Sequence, residues 1–127
     1  MTIDPQRIDV LVAEDNRDLC DAVCALIDAE PDMRVTGTAM RVSELLDGTR
    51  AAAARVLVLD LDLGGESSVP ALQTLRAQWP QLAVVIFSGN DRDTLAPVFA
   101  QIGRCEYVMK TGDVLPLLDA IRRVAQN

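Results

Sequence analysis

The chain of 127 residues contains no histidine, one lysine and three cysteines. The absence of histidine excludes a Ser/His/Asp or Cys/His catalytic unit, a histidine metal ligand and a phosphohistidine carrier. Cys20, Cys24 and Cys105 are odd in number and lack CxxC spacing, so we expect small buried hydrophobic side chains instead of a disulfide framework. Any chemistry must therefore rest on other side chains.

Positive charge is also scarce, since 12 basic residues against 19 acidic ones give a net charge of −7. This sign opposes direct binding to nucleic-acid phosphates. No apolar run approaches the roughly 18 residues of a membrane-spanning helix, and the start, MTIDPQRIDV, lacks the basic and apolar regions of a signal peptide. We therefore expect a cytoplasmic protein that contacts neither membrane nor nucleic acid directly.

Short apolar runs alternate with stretches of helical period along the whole chain. Strands are predicted at 8–13, 33–39, 56–61, 82–87 and 107–109. Helices are predicted from a cap at Asp15 or Asn16 to Pro31, at 42–46, at 70–79, and at 117–124 after a cap at Asp113. A helix within 91–103 should be shortened or kinked by Pro97. The alternation predicts one domain over residues 1–127, an α/β fold with a doubly wound parallel sheet.

Polar side chains stand where four of these strands end: Glu14 and Asp15, Asp60, Ser88, and Lys110. Each one alone is typical of a cap, a turn or a solvated charge. Together they lie at the sheet edge where doubly wound folds bind ligands. Lys110 is the only lysine beside eleven arginines, and its compact ammonium suits a single phosphoryl oxygen or carboxylate.

Three carboxylates and one ammonium leave the predicted site with an uncompensated charge of −2. Two carboxylates about 5 Å apart repel by roughly 3 kcal/mol at an effective dielectric near 20. Oxygen ligands without histidine favour a hard cation, Mg²⁺. The site therefore indicates phosphoryl transfer in which an aspartate is the nucleophile. Neither GxGxxG nor GxxxxGK[ST] occurs, which argues against dinucleotide and P-loop nucleotide binding.

The segments VAED, VLVLDLDL, VVIFSG and YVMK resemble the receiver domain of a two-component response regulator, over nearly the whole chain. The resemblance implies a flavodoxin-like (βα)5 sandwich with strand order 2-1-3-4-5. It implies that Asp60 accepts a phosphoryl group from the phosphohistidine of a partner kinase. Mg²⁺ would then be held by Asp15, Asp60 and the backbone carbonyl of Asp62, with Glu14 acting through water.

The same resemblance implies a switch and a set of partners. Lys110 would pair with the phosphoryl oxygens, Ser88 would hydrogen-bond the new group, and Tyr107 would turn inward and remodel the surface around the fourth helix and fifth strand. The partner would be a histidine kinase or phosphotransfer protein, and a phosphorylation-dependent homodimer is a further expectation. The protein would not be an enzyme beyond its own phosphorylation and dephosphorylation. It would act alone or precede a DNA-binding output domain in a longer chain.

Several positions depart from the family pattern. Gly64 stands where the family commonly has proline, and Gly65 follows, so a looser loop is expected there. Asp62 adds an acid beside the acceptor. Thr111 replaces a proline that is often cis, and because a non-proline cis bond costs about 3 kcal/mol we expect a trans bond.

Two other functions remain open at this point. LVLDLDLGG is also similar to the DxDx motif of haloacid dehalogenase-like phosphatases, in which Asp60 would attack substrate phosphates and Asp62 would be the acid/base. That family places the motif on its first strand and supplies a second acidic group after the lysine, unlike this chain. Alternatively, the domain is a receiver-like interaction module that accepts no phosphate.

Overall fold

The computed structural model describes residues 7–91 and 93–126, with residue 49 described by its backbone alone. Its strands are β1 (Ile8–Ala13), β2 (Met33–Ala39), β3 (Val56–Leu59), β4 (Asp62–Leu63), β5 (Glu66–Ser67), β6 (Ala83–Ser88) and β7 (Glu106–Met109). Five of them form a parallel sheet in the order β2-β1-β3-β6-β7, while β4 and β5 form a separate antiparallel hairpin. The predicted order 2-1-3-4-5 of the five long strands is confirmed.

The helices are α1 (Arg17–Asp28), α2 (Val42–Leu46), α3 (Thr49–Ala52), α4 (Val69–Gln78), α5 (Ala96–Ile102) and α6 (Leu115–Ala125). The side chain of Asn16 caps α1 by accepting the amide of Leu19 at 3.0 Å. Asp113 Oδ1 similarly accepts the amide of Leu115 at 3.0 Å. Asn16 thus caps α1 as predicted. The predicted cap at Asp113 is off by one residue, because the N-cap of α6 is Val114 and Asp113 accepts the first helical amide from just before it.

The sheet separates two hydrophobic clusters. Alternate residues of a strand point to opposite faces, so Val10 and Val12 pack with α1 and α6, whereas Leu11 and Ala13 pack with α2, α4 and α5. Both faces of β1, β3 and β6 are therefore covered, which explains their nearly unbroken apolar sequences. Helices on both faces leave the carboxyl ends of the strands as an open edge.

Some predicted elements need correction. The run 56–61 continues the apolar pattern, but β3 ends at Leu59 because the chain turns at Asp60 toward the hairpin. The helix within 91–103 is short, as expected from Pro97: α5 begins at Ala96, and Pro97 lies in its first turn, where its missing amide costs nothing. Helix α3 and the β4–β5 hairpin were not predicted.

The cysteine prediction is only partly correct, since Cys20 is buried but Cys24 and Cys105 are half-buried. Burial is the main cause that raises the pKa of the Cys24 thiol to about 12, so this side chain stays neutral. The bond between Lys110 and Thr111 is trans, as expected. Within the described ranges, every helix is too short or too polar to cross a membrane.

Candidate functional site

The carboxyl ends of β1, β3, β6 and β7 bring the predicted polar residues together. An open cavity of about 600 Å³ lies at this edge, and among its lining residues are Asp15, Asp60, Asp62, Ser88 and Lys110. Glu14 is buried beside it, at 2 % exposure. The backbone fixes these positions, since Asp60 donates its amide to Ala13 O at 3.0 Å and Lys110 donates its amide to Ser88 O at 2.7 Å.

Asp60 is nearly buried, at 8 % exposure, and both of its carboxylate oxygens have partners. Its Oδ1 accepts the amide of Asp62 at 3.0 Å, and its Oδ2 accepts Lys110 Nζ at 3.0 Å. Donors on both oxygens fix the orientation of the carboxylate, and its position in the cavity lining leaves it accessible from solvent. Asp60 is therefore an oriented carboxylate at the surface of the cavity.

Lys110 connects Asp60 to the buried Glu14, whose Oε1 lies 2.6 Å from Nζ. Burial alone would lower the pKa of Lys110, but its hydrogen bonds to Glu14 and Asp60 outweigh burial and raise it. Burial raises the pKa of Glu14 despite the lysine and the amide of Asn16, which donates to Oε2 at 2.9 Å. One ammonium thus contacts two carboxylates, and its single positive charge cannot balance both negative charges.

Glu14, Asp15 and Asp60 form the acidic group that could hold a metal. One ligand oxygen from each lies within 4.8 Å of the others. Carboxylate oxygens are the donors that Mg²⁺ prefers, and no nitrogen or sulfur ligand is part of this group. Among the residues that the structure describes, Lys110 is the one cation in contact with this group. A net charge of −2 remains, so the donor set fits a divalent hard ion.

Ser88 and Tyr107 are linked through the segment that follows β6. The buried Ser88 Oγ accepts the amide of Asn90 at 3.1 Å. The hydroxyl of Tyr107 donates to the carbonyl of the same Asn90. The Tyr107 ring is half-buried and packs edge-on against Phe99, with ring centroids 5.7 Å apart. Tyr107 is not among the residues that line the cavity, but Tyr107 and Ser88 both form a hydrogen bond with the backbone of Asn90.

Sequence reasoning missed three contributors to this site. Ser68 is fully buried and its hydroxyl donates to the carbonyl of Asp60 at 2.7 Å. Its position before Pro70 is typical of a helix cap, a signal that could have identified it. The ring of Phe87 lies 5.5 Å from Lys110 Nζ, and the amide of Gly64 donates to Asp15 Oδ2 at 3.0 Å. Gly64 lies in the turn of the β4–β5 hairpin, and the looser loop expected there stays a prediction.

Comparison with known proteins agrees with this arrangement. The family model described as "Response regulator receiver domain" matches residues 10–122. The chain belongs to the receiver domains of two-component response regulators. The receiver is thus a member of a signalling family, as its motifs indicated.

Among curated relatives, the receiver is 28% identical over 120 residues to the uncharacterized transcriptional regulatory protein YvfU of Bacillus subtilis, covering 94% of this chain and 60% of that protein. It is 30% identical over 124 residues to the transcriptional regulatory protein LiaR of Bacillus subtilis, covering 94% of this chain and 57% of LiaR. The receiver therefore spans about three-fifths of the length of these relatives.

Solved structures share the fold at low identity. A LuxR-family two-component response regulator from Aurantimonas sp. SI85-9A1 superimposes with a TM-score of 0.84 at 22% identity, over 94% of this chain and 86% of that one. The signal receiver domain of the putative response regulator NarL from Mycobacterium tuberculosis gives 0.84 at 19% identity, over 97% and 99%. These likenesses support the flavodoxin-like architecture.

Proposed function

We propose that the receiver is a phosphoacceptor in which Asp60 takes a phosphoryl group from the phosphohistidine of a partner histidine kinase or phosphotransfer protein. The observation that carries this proposal is the contact of Lys110 Nζ with both Asp60 and Glu14 at the open edge of the sheet. A lone ammonium beside an excess of carboxylates suits a reaction that brings in phosphoryl oxygens, which need a cation.

In the transfer step, a carboxylate oxygen of Asp60 attacks the phosphorus atom. A P–O bond to Asp60 forms while the P–N bond of the donor breaks, and its electron pair returns to the imidazole nitrogen. With a small donor such as acetyl phosphate, a P–O bond breaks instead and acetate leaves. Lys110, 3.0 Å from Oδ2, pairs with the phosphoryl oxygens as the acyl phosphate forms on Asp60.

The donor set supports the proposal that the reaction requires Mg²⁺. Asp15 and Asp60 would hold the ion with the backbone carbonyl of Asp62, and Glu14 would act through water. When bound, the ion neutralises charge on the phosphoryl oxygens and on the surrounding carboxylates. Lys110 already contacts Glu14 and Asp60. Its single positive charge leaves negative charge on the carboxylates, which the divalent ion would balance.

The shared neighbour of Ser88 and Tyr107 supports a role for both in switching. If Ser88 changes rotamer to donate its hydroxyl to a phosphoryl oxygen, its Oγ moves away from the amide of Asn90, whose carbonyl accepts the Tyr107 hydroxyl. Tyr107 can then move inward and change the surface formed by α5 and β7. A swing of this switch from 1:99 to 99:1 requires about 5.5 kcal/mol of preference for one state.

The whole protein is proposed to be longer than this receiver. The relatives YvfU and LiaR are called transcriptional regulatory proteins and extend well beyond the matched length. We therefore propose a DNA-binding output domain and a phosphorylation-dependent homodimer as the means by which the switch is read. The negative charge of the receiver itself does not favour nucleic acid.

The test uses acetyl phosphate, Mg²⁺ and intact-mass spectrometry. Wild type should gain the mass of one phosphoryl group, and chelation of Mg²⁺ with EDTA should prevent the gain. Asp60→Asn should gain nothing, whereas Asp21→Asn, an exposed position on α1, should behave as wild type.

The same samples separate the alternatives. An interaction module that accepts no phosphate would show no mass change in wild type. A phosphatase of the haloacid dehalogenase type would release nitrophenol from p-nitrophenyl phosphate over many turnovers, which the receiver should not do. A mass gain that persists in Asp60→Asn would overturn the assignment of the acceptor.

A further inference from the structure

The tip of the β4–β5 hairpin contacts the carboxylate that follows β1. The amide of Gly64 donates to Asp15 Oδ2 at 3.0 Å, across 49 residues of sequence. Gly64 also lies against the chain that follows β2, since a Cβ at this position would be 3.6 Å from Met40 O. The hairpin therefore reaches over the ends of two strands and contacts the acidic group from one side.

The turn requires glycine for its backbone and not for space. Gly64 and Gly65 have φ values of 65° and 80°, the left-handed pair found in two-residue hairpin turns. A Cβ at either position would meet ordinary contacts or open space, so the positive φ values select glycine. Proline cannot replace Gly64 without losing both this conformation and the donor N–H.

We propose that the Gly64 amide is a positioning group for the metal ligand Asp15, an inference that rests on the proposed function. The amide occupies one oxygen of this carboxylate and fixes its rotation, which leaves the second oxygen for a divalent cation. Hydrogen bonds behind a ligand commonly change metal affinity by tenfold or more. The Gly64–Gly65 pair is thus part of the metal site, although neither residue has a side chain to offer.

The hydrogen bond is tested first without metal, by the amide resonance of Gly64 in a ¹H–¹⁵N spectrum. In Asp15→Ala this resonance should move upfield, as expected for a lost carboxylate acceptor. In Asp18→Ala, which removes an exposed carboxylate in the first turn of α1, it should stay in place. A Gly64 resonance that is indifferent to Asp15→Ala overturns the proposal.

The role in metal binding is tested by the Mg²⁺ dissociation constant of a matched pair, Gly64→Pro and Gly65→Pro. Both prolines oppose a positive φ, but only Gly64→Pro removes the donor. We expect Gly64→Pro to weaken Mg²⁺ binding by about tenfold. In Gly65→Pro, Mg²⁺ binding should stay at the wild-type level if the Gly64 resonance keeps its position, and it should weaken if that resonance moves upfield. The proposal is overturned if Gly64→Pro binds Mg²⁺ as tightly as wild type does. It is also overturned if Gly65→Pro binds Mg²⁺ weakly while its Gly64 resonance keeps the wild-type position.

If Gly64→Pro does not fold, the test is made on the wild-type protein by measuring hydrogen exchange of the Gly64 amide. Its protection should be kept or increased at saturating Mg²⁺, and loss of protection on Mg²⁺ binding overturns the proposal. The two proposals fail separately. Wild type that binds Mg²⁺ but gains no phosphoryl mass contradicts the proposed function and leaves the positioning role of Gly64 intact.

Discussion

Two ion clusters at opposite edges of the sheet each surround one cation with carboxylates. At the amino edge, Arg122 of α6 contacts Glu30 and Asp32 in the connection between α1 and β2, and it lies 3.9 Å from Asp119 of its own helix. At the carboxyl edge, Lys110 contacts Glu14 and Asp60. The first cluster is partly solvated, with the side chains of Arg122 and Glu30 32% and 31% exposed, whereas those of Lys110 and Glu14 are 21% and 2% exposed.

The two clusters differ in burial and in hydrogen bonding. Arg122 donates from Nε and Nη2 to both oxygens of Asp32 at 2.8 and 3.0 Å, and this hydrogen bonding lowers the pKa of Asp32. In the Lys110 cluster, burial raises the pKa of Glu14 even though a cation lies 2.6 Å away. The solvated, well hydrogen-bonded cluster links two elements of the fold, while the buried cluster, which lies beside Asp15, fits the cation and the phosphoryl group proposed above.

The largest effect should come from breaking the buried cluster with Lys110→Ala. Loss of the ammonium removes the group that pairs with the phosphoryl oxygens, so phosphorylation by acetyl phosphate should slow by about a hundredfold or more. The rate is measured from the intact mass over time. Arg122→Ala is the control, because Arg122 also contacts carboxylates but lies at the opposite edge of the sheet from Asp60. The phosphorylation rate of Arg122→Ala should match that of wild type. A comparable loss in both variants would show that the two clusters do not differ in function.

A smaller effect should follow when the solvated cluster is broken. Arg122→Ala should lower the free energy of unfolding by about 1 kcal/mol, the upper range for exposed ion pairs, because a bidentate contact and a second carboxylate are lost together. Urea unfolding measures this change. Arg41→Ala is the matched control, since Arg41 lies 3.9 Å from Glu44 in a single, more exposed pair, and it should change stability less. Equal losses would show that the bidentate geometry adds nothing.

The sequence predicted what depends on local pattern. Strands β1 and β2 and helix α2 have the predicted bounds because apolar period and turn residues determine them over a few neighbouring positions. The sequence could also assign four residues to one candidate site, because parallel strands bring their carboxyl ends to one edge of the sheet. These residues are Asp15, Asp60, Ser88 and Lys110. Position along a strand was therefore enough to find the site.

The missed contributors depend on contacts between segments. The Gly64 amide meets Asp15 only because the hairpin folds back over β1, and no local pattern carries that information. Ser68 occupies a capping position, but its hydroxyl donates to the Asp60 carbonyl and makes no side-chain cap. In both cases the residue type was compatible with an ordinary turn or cap, and the tertiary partner changed its role.

The smallest effect concerns pH and separates the two clusters by sign. Because the pKa of Asp32 is lowered from 3.8, its stabilising contribution is present above that value and is lost as pH falls through the folded-state pKa. Glu14 acts in the opposite direction, since a raised pKa favours proton uptake by the folded state. The wild-type curve alone combines both groups, so the quantity to measure is the difference in unfolding free energy between wild type and Asp32→Asn. That difference should narrow as pH falls from about 5 to about 2. A wild-type advantage over Asp32→Asn that persists at the lowest pH would contradict the role given to Asp32.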